Sequence, residues 1–281
     1  MKVLLDFHYS DFWTDPGKQF KPKAWASLSQ NDLEKAVGTY TGDVLKAMRA
    51  QNALPNMVQV GNELNSGMLW PNGKSWGEGG GEFDRLAALL KAGTNAVRSV
   101  DSNIKIMLHL AHGGDNGASR WWFDEITKRG VSFDTIGLSY YPYWDGGFSG
   151  LTSNMNDISA RYNKDVIVVE TAYGFTTANG DNLDNSFNQD SVNTAGYPAS
   201  PQGQASFIRD LSEKISQVNN NRGRGFFYWS RFGFQRKVLR GLVNTGWLTF
   251  KQPVLSEMRG KIKRCLISTE KHCHLLMYLN K

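Results

Sequence analysis

Apolar positions in this chain follow two different periods. Short runs of β-branched, aliphatic and aromatic residues, each passing into polar ones, recur at Val3–Asp11, Met57–Glu63, Ile104–His112, Asp134–Pro142, Val166–Tyr173 and Gly223–Trp229. Runs of this kind are expected of strands buried on both faces of a parallel sheet. Between them, Asn31–Ala50, Glu82–Val100 and Pro201–Ser216 carry apolar residues at helical spacing, the last with Ser200 as N-cap and Pro201 at the first helical position. Such alternation predicts an α/β fold, either an open doubly wound sheet or a closed (β/α)8 TIM barrel. The strand ends discriminate. An open sheet gathers its site at one switch point, whereas almost every run here ends in Asp, Glu, His, Asn, Tyr or Trp, as expected when all C-terminal ends converge on one mouth. The barrel is the prediction. Gly77–Gly81 is glycine-rich but lacks the dinucleotide spacing.

A barrel of this type needs eight strands, and six are visible. The expectation is that the first two are encoded upstream of Met1, rather than supplied by the tail or a partner chain. Residues 1–229 would then be strands three to eight of a partial catalytic domain, and 230–281 a tail with no domain assignment. Charge marks the same boundary. The chain has a formal charge of +6, yet residues 230–281 alone carry +9 and residues 1–229 carry −3. The main body offers no basic face, so no nucleic-acid partner is expected. Both cysteines, Cys265 and Cys273, also lie in the tail and define no disulfide framework. No signal peptide and no run of 18 apolar residues occurs, so no membrane span is predicted. Nine Trp, ten Tyr and 15 Phe exceed what one core requires, and aromatic faces are suited to stacking on sugar rings.

Two carboxylates stand at the ends of otherwise apolar runs, Glu63 after Met-Val-Gln-Val-Gly-Asn and Glu170 after Val-Ile-Val-Val. A carboxylate there is costly to desolvate unless paired, hydrogen-bonded or used. One alone reads equally well as a structural ion pair. A pair fits glycoside hydrolysis, in which one carboxyl protonates the leaving oxygen and the other attacks or activates water. Counting back from two absent strands puts them on the fourth and seventh, across the mouth. His8, Asp11, Trp13, His109, Tyr140, Tyr141 and Trp229 occupy the other strand ends, where a sugar would meet polar groups and indole faces.

The segments Leu5-Asp6-Phe7-His8-Tyr9-Ser10-Asp11-Phe12-Trp13-Thr14-Asp15-Pro16, Gln59-Val60-Gly61-Asn62-Glu63, Gly67-Met68-Leu69-Trp70-Pro71, Ser139-Tyr140-Tyr141-Pro142 and Val168-Val169-Glu170-Thr171-Ala172-Tyr173 resemble the endo-β-1,4-galactanases of glycoside hydrolase family 53. The resemblance covers roughly residues 1–229. It implies a retaining TIM-barrel hydrolase of β-1,4-galactan in which Glu63 is the acid/base and Glu170 the nucleophile. It further implies that Asn62 meets the substrate 2-hydroxyl, that Tyr140 or Tyr141 orients Glu170, and that His8, Asp11, Trp13, His109 and Trp229 surround the cleaved bond. Trp70 would extend the cleft. Some family members bind calcium in the long loop before the last strand. Here Asp181 and Asp184 are the nearest candidates, but the spacing of 179–185 reads as turn chemistry, so no cofactor is predicted. The family also places an arginine on the second strand and Glu-Pro after the last, where this chain reads Ser230-Arg231. An extracellular or periplasmic monomer acting on polysaccharide is expected.

Overall fold

The computed structural model describes residues 2–179 and 185–229, together with the backbone of 247–248 and 273–278. Six parallel strands form the main sheet: β1 (Lys2–Phe7), β2 (Met57–Val60), β5 (Lys105–Leu110), β6 (Thr135–Ser139), β7 (Asp165–Thr171) and β8 (Gly223–Tyr228). A two-stranded antiparallel ribbon, β3 (Gly67–Met68) with β4 (Gly73–Lys74), stands in the loop after β2. The six-run reading and the α/β barrel class therefore hold. Each predicted strand overran its C-terminal end by one to four residues, because the polar residues that finish each run already belong to the loops.

The gap between β8 and β1 is bridged by two segments of the tail. β9 (Trp247–Leu248) pairs in parallel with β8, and β10 (Cys273–Tyr278) runs antiparallel to both β9 and β1, closing the circle. The tail thus supplies the two strands that were expected upstream of Met1. An uncovered β1 edge would offer a row of unpaired N–H and C=O groups, which any extended segment of the same chain can satisfy in either direction.

Helices α1 (Gln30–Ala50) and α2 (Glu82–Val100) cover β1, β2 and β5. Ser29 caps α1 by accepting from the Asp32 N–H, and Leu33, Val37, Leu45 and Met48 form its buried stripe. Gly93 lets α2 lie against the sheet: a Cβ there would stand 2.7 Å from Val60 Cγ1 and 3.2 Å from the Tyr9 hydroxyl. Helices α3 (Asn116–Lys128) and α5 (Phe148–Tyr162) follow β5 and β6, with the single turn α4 (Pro142–Asp145) before α5; α6 (Gln189–Ala195) and α7 (Pro201–Ser216) follow β7. Ser200 caps α7 and Pro201 opens it, as predicted. Polar residues interrupt the buried face between α3 and α5. Asn154 is fully buried there, its amide donating to the Gly113 carbonyl and to Ser119 Oγ. Among the described residues no helix is long and apolar enough to cross a membrane.

Two apolar layers share the strands. Leu5, Phe7, Val58, Val60, Leu108, Leu110, Ile136 and Leu138 face the helices, whereas Leu4, Met57, Met107, Ile167, Val169 and Phe227 fill the barrel interior. Since successive side chains alternate between faces, the next inward positions toward the C-terminal ends are Asp6, Gln59, His109 and Ser139. A polar layer thus sits directly above the apolar plug.

Candidate active site

The chain turns sharply as it leaves β2. Gly61 takes φ 86°, and Glu63 adopts a left-handed conformation, φ 47° and ψ 60°, before the 3-10 turn Leu64–Ser66. A left-handed non-glycine residue costs on the order of 1–3 kcal/mol, and such strain gathers where a side chain must be aimed. Gln19 holds the turn, its amide donating to the carbonyls of Asn62 (2.8 Å) and Glu63 (3.2 Å).

On β7 the alternation is broken. Val166 and Val168 face the helices and Val169 the interior, so strict alternation would send Glu170 outward again. The β6–β7 register slips between Leu138 and Ser139, pairing Ser139 with Glu170, and such irregularities re-aim side chains. Glu170 reaches the opening as a result. One carboxylate oxygen from each of Glu63 and Glu170 and one ring nitrogen of His109 lie within 4.8 Å of one another. This trio has the donor chemistry of a metal site. Both His109 nitrogens, however, are already engaged by protein groups, Nδ1 by Asn62 and Gln59 and Nε2 by Ser139.

The electrostatics separate the two carboxylates. Burial, and then the charge of Glu170, push Glu63 up to about 8; Asp15 adds to this, while a hydrogen bond from Ser139 Oγ (2.5 Å) and the nearby His112 oppose it. Glu170 Oε2 accepts from the Tyr141 hydroxyl at 2.9 Å. Burial, followed by the charge of Glu170, lifts that phenol well above its ordinary range, so it stays a donor. His109 is fully buried, and burial, reinforced by His8, lowers it to about 3. It is neutral at any working pH.

Tyr140 and Tyr141 part company. Ser139 and Tyr141 point inward, whereas Tyr140 is fully buried among the helix-side residues, against Phe148, and donates to the Gly146 carbonyl at 2.7 Å. The structure therefore does not bring Tyr140 to the site. His8 is a buried strut: Nδ1 accepts from the Thr14 N–H (2.8 Å) and Nε2 meets Asp6 at 3.0 Å. Asp11 accepts from the Lys23 N–H at 2.7 Å and fastens the loop after β1. Asn62 is buried, one amide hydrogen going to the Thr14 carbonyl (2.8 Å) and its oxygen facing Gln59 and His109.

Trp13 is 48% exposed and Trp229 half-buried at the end of β8. Trp70 packs edge-on against Phe20, with the Lys74 ammonium 5.4 Å from its ring. Asp181 and Asp184 lie outside the described residues. Ser139, Gln59, Asp6, Asp15 and His112 went unassigned in the sequence. The inward parity of Asp6, Gln59 and Ser139 with Leu4, Met57 and Gly137 was the available signal.

The sequence matches the family described as glycosyl hydrolase family 53 over residues 1–251. The chain belongs to that family. It is 40% identical over 236 residues to the arabinogalactan endo-beta-1,4-galactanase of Cellvibrio japonicus, covering 82% of this chain and 61% of that protein. It is 38% identical over 256 residues to the endo-beta-1,4-galactanase of Bacillus subtilis, covering 88% and 57%. The solved Ignisphaera aggregans GH53 catalytic domain superposes with a TM-score of 0.77 at 45% identity, covering 82% of this chain and 62% of that domain. The chain thus spans about three-fifths of the length of the curated relatives it matches. The carboxyl groups of Glu63 and Glu170 and the Tyr141 hydroxyl stand together at one end of the barrel.

Proposed function

We propose that residues 1–229 are the catalytic part of a retaining endo-β-1,4-galactanase, with Glu63 as acid/base and Glu170 as nucleophile. The observation that carries this reading is the approach of the two carboxyl groups to within 4.8 Å across the barrel mouth. Retaining glycosidases hold theirs about 5–5.5 Å apart, whereas inverting enzymes leave room for a water between them. Glu63, raised to about 8, holds its proton at neutral pH and can donate it to the glycosidic oxygen while Glu170 attacks the anomeric carbon. Water, deprotonated by Glu63, then displaces Glu170 with the configuration kept. Tyr141 orients the nucleophile, and the second amide hydrogen of Asn62 is available for the sugar 2-hydroxyl.

Of the seven exposed large aromatics among the described residues, Phe12, Trp13, Phe20, Trp76, Trp144 and Phe175 lie on the connections that follow strand C-termini. On the same end of the barrel as the carboxylates, such aromatic faces are suited to hold a long polymer, which supports cleavage within the chain. Two of the relatives named above are endo-β-1,4-galactanases by name, which supports galactan as substrate, and the family resemblance supports action on polysaccharide outside the cell. Reducing ends released from galactan, β-mannan and cellulose by the purified protein test the substrate. A 2-fluoro-galactoside tests the chemistry, since it should add covalent mass at Glu170 and none in Glu170→Gln. Labelling without release from galactan would overturn the linkage assignment; absence of both would leave a carbohydrate-binding barrel.

A further inference from the structure

Ser139 and His109 have no part in the scheme above, yet they touch Glu63. Ser139 ends β6 and His109 lies on β5, both buried and both facing the barrel interior. Ser139 Oγ stands 2.5 Å from Glu63 Oε1 and 2.8 Å from His109 Nε2. A hydroxyl has one hydrogen and can donate to one of these at a time. The donors around His109 indicate which. The Glu63 backbone N–H is aimed at Nδ1 from 3.3 Å. Gln59 Nε2 lies 3.0 Å from the same atom, but its two hydrogens serve Asp6 Oδ1 at 2.9 Å and Asn62 Oδ1 at 3.0 Å, so the donor to Nδ1 is the Glu63 N–H. Asn62 Oδ1 also approaches Nδ1, at 2.9 Å, but receives a hydrogen from Gln59 Nε2 at 3.0 Å. With Nδ1 an acceptor, Nε2 carries the ring proton and donates to Ser139, leaving the serine hydrogen for Glu63.

We propose that His109 and Ser139 are positioning residues that close a one-way hydrogen-bond ring from the backbone N–H of Glu63 to its own carboxylate, stabilising that carboxylate as the base deglycosylation requires. The second half of this statement rests on the acid/base reading of Glu63. His109 and Ser139, both buried, each accept from one neighbour and donate to the next, so the links polarise one another. The groups that face Glu63 pull both ways. Glu170 from β7 and Asp15 from the loop after β1 disfavour its charge, as burial does, while His112 after β5 favours it; the Tyr141 hydroxyl is committed to Glu170. Of the contacts favouring the charged form, the Ser139 hydrogen bond is the largest. No proton passes along the ring. The acid proton leaves Glu63 for the glycosidic oxygen and returns from water, and the ring keeps one carboxyl oxygen an acceptor throughout.

The test is a titration of the Glu63 side-chain carboxyl by 13C NMR on the full chain, its signal identified by its loss in Glu63→Gln. The ring predicts that Ser139→Ala raises the midpoint by about one to two pH units, the equivalent of one hydrogen bond to a charged group. Ser139→Thr, which keeps the hydroxyl, should leave it in place, and His109→Phe should raise it by less than Ser139→Ala. A midpoint unmoved or lowered in Ser139→Ala would overturn the ring. Because the titration needs no turnover, it fails independently of the catalytic reading. Glu63→Gln that hydrolyses galactan at the wild-type rate would sink the acid/base role while the titration still decides the ring.

Discussion

Replacing Glu63 with glutamine removes a proton-binding group whose folded value of about 8 lies well above its ordinary 4.5. At about 1.36 kcal/mol per pH unit, ionising Glu63 inside the folded protein costs about 5 kcal/mol. The folded state binds this proton more tightly than the unfolded state. Its stabilising contribution is therefore complete below pH 4.5 and is lost as pH rises through 8. Glutamine of nearly the same shape cannot ionise. The stability of Glu63→Gln relative to wild type should thus climb with pH, by about 3 kcal/mol between pH 4.5 and pH 7 and about 5 kcal/mol above pH 8. Urea denaturation at a series of pH values from 4.5 to 9 measures this directly and requires no activity. Burial is the first cause of the raised value and Glu170 the second, so Glu170→Gln should flatten the difference only in part. Two stability curves that run parallel across this range would refute the argument, because they would mean Glu63 titrates alike in the folded and unfolded protein.

Three further outcomes are expected. Tyr141→Phe deletes the 2.9 Å donor to Glu170 and should lower kcat/KM on galactan about 10- to 100-fold, the range of one hydrogen bond to a charged group, with the urea midpoint little changed. Gly93→Ala gains about 1 kcal/mol of helix propensity but drives a methyl into Val60 and the Tyr9 hydroxyl, so unfolding measurements should show a net loss of about 1–2 kcal/mol. His109→Ala strips a shared partner from Ser139, Gln59 and Asn62 and should cost about 2–4 kcal/mol in the same assay, more than a surface histidine would.

Much of the fold was legible because its causes are local. Continuous apolar runs and period-3.6 spacing belong to single elements, and so does the cap at Ser200, which is why six strands and three long helices read correctly. The polar ends of Met57–Glu63 and Val166–Tyr173 likewise announced a site, since an apolar strand has no local reason to finish in a carboxylate. Alternation within β6 even contains the choice between Tyr140 and Tyr141, because only Tyr141 shares the parity of Ser139. Helices α3 and α5 were harder to see, since Asn154 and Ser119 hold buried positions that periodicity assigns to apolar residues.

Other features depend on how distant segments register against one another. Alternation along β7 would turn Glu170 away from the mouth, and only the slip in its pairing with β6 returns it to Glu63. The elevation of Glu63 to about 8 likewise arises from burial and a charge more than 100 residues away, neither of which is encoded near position 63. Histidines at 8 and 109 look alike in sequence, yet one braces a loop through Thr14 and Asp6 and the other joins the ring around Glu63. The amino-acid sequence by itself determined which residues could do chemistry and at which end of the barrel. Tertiary structure decided which of them meet, because distances and burial between strands are set by pairing and packing over the whole sheet.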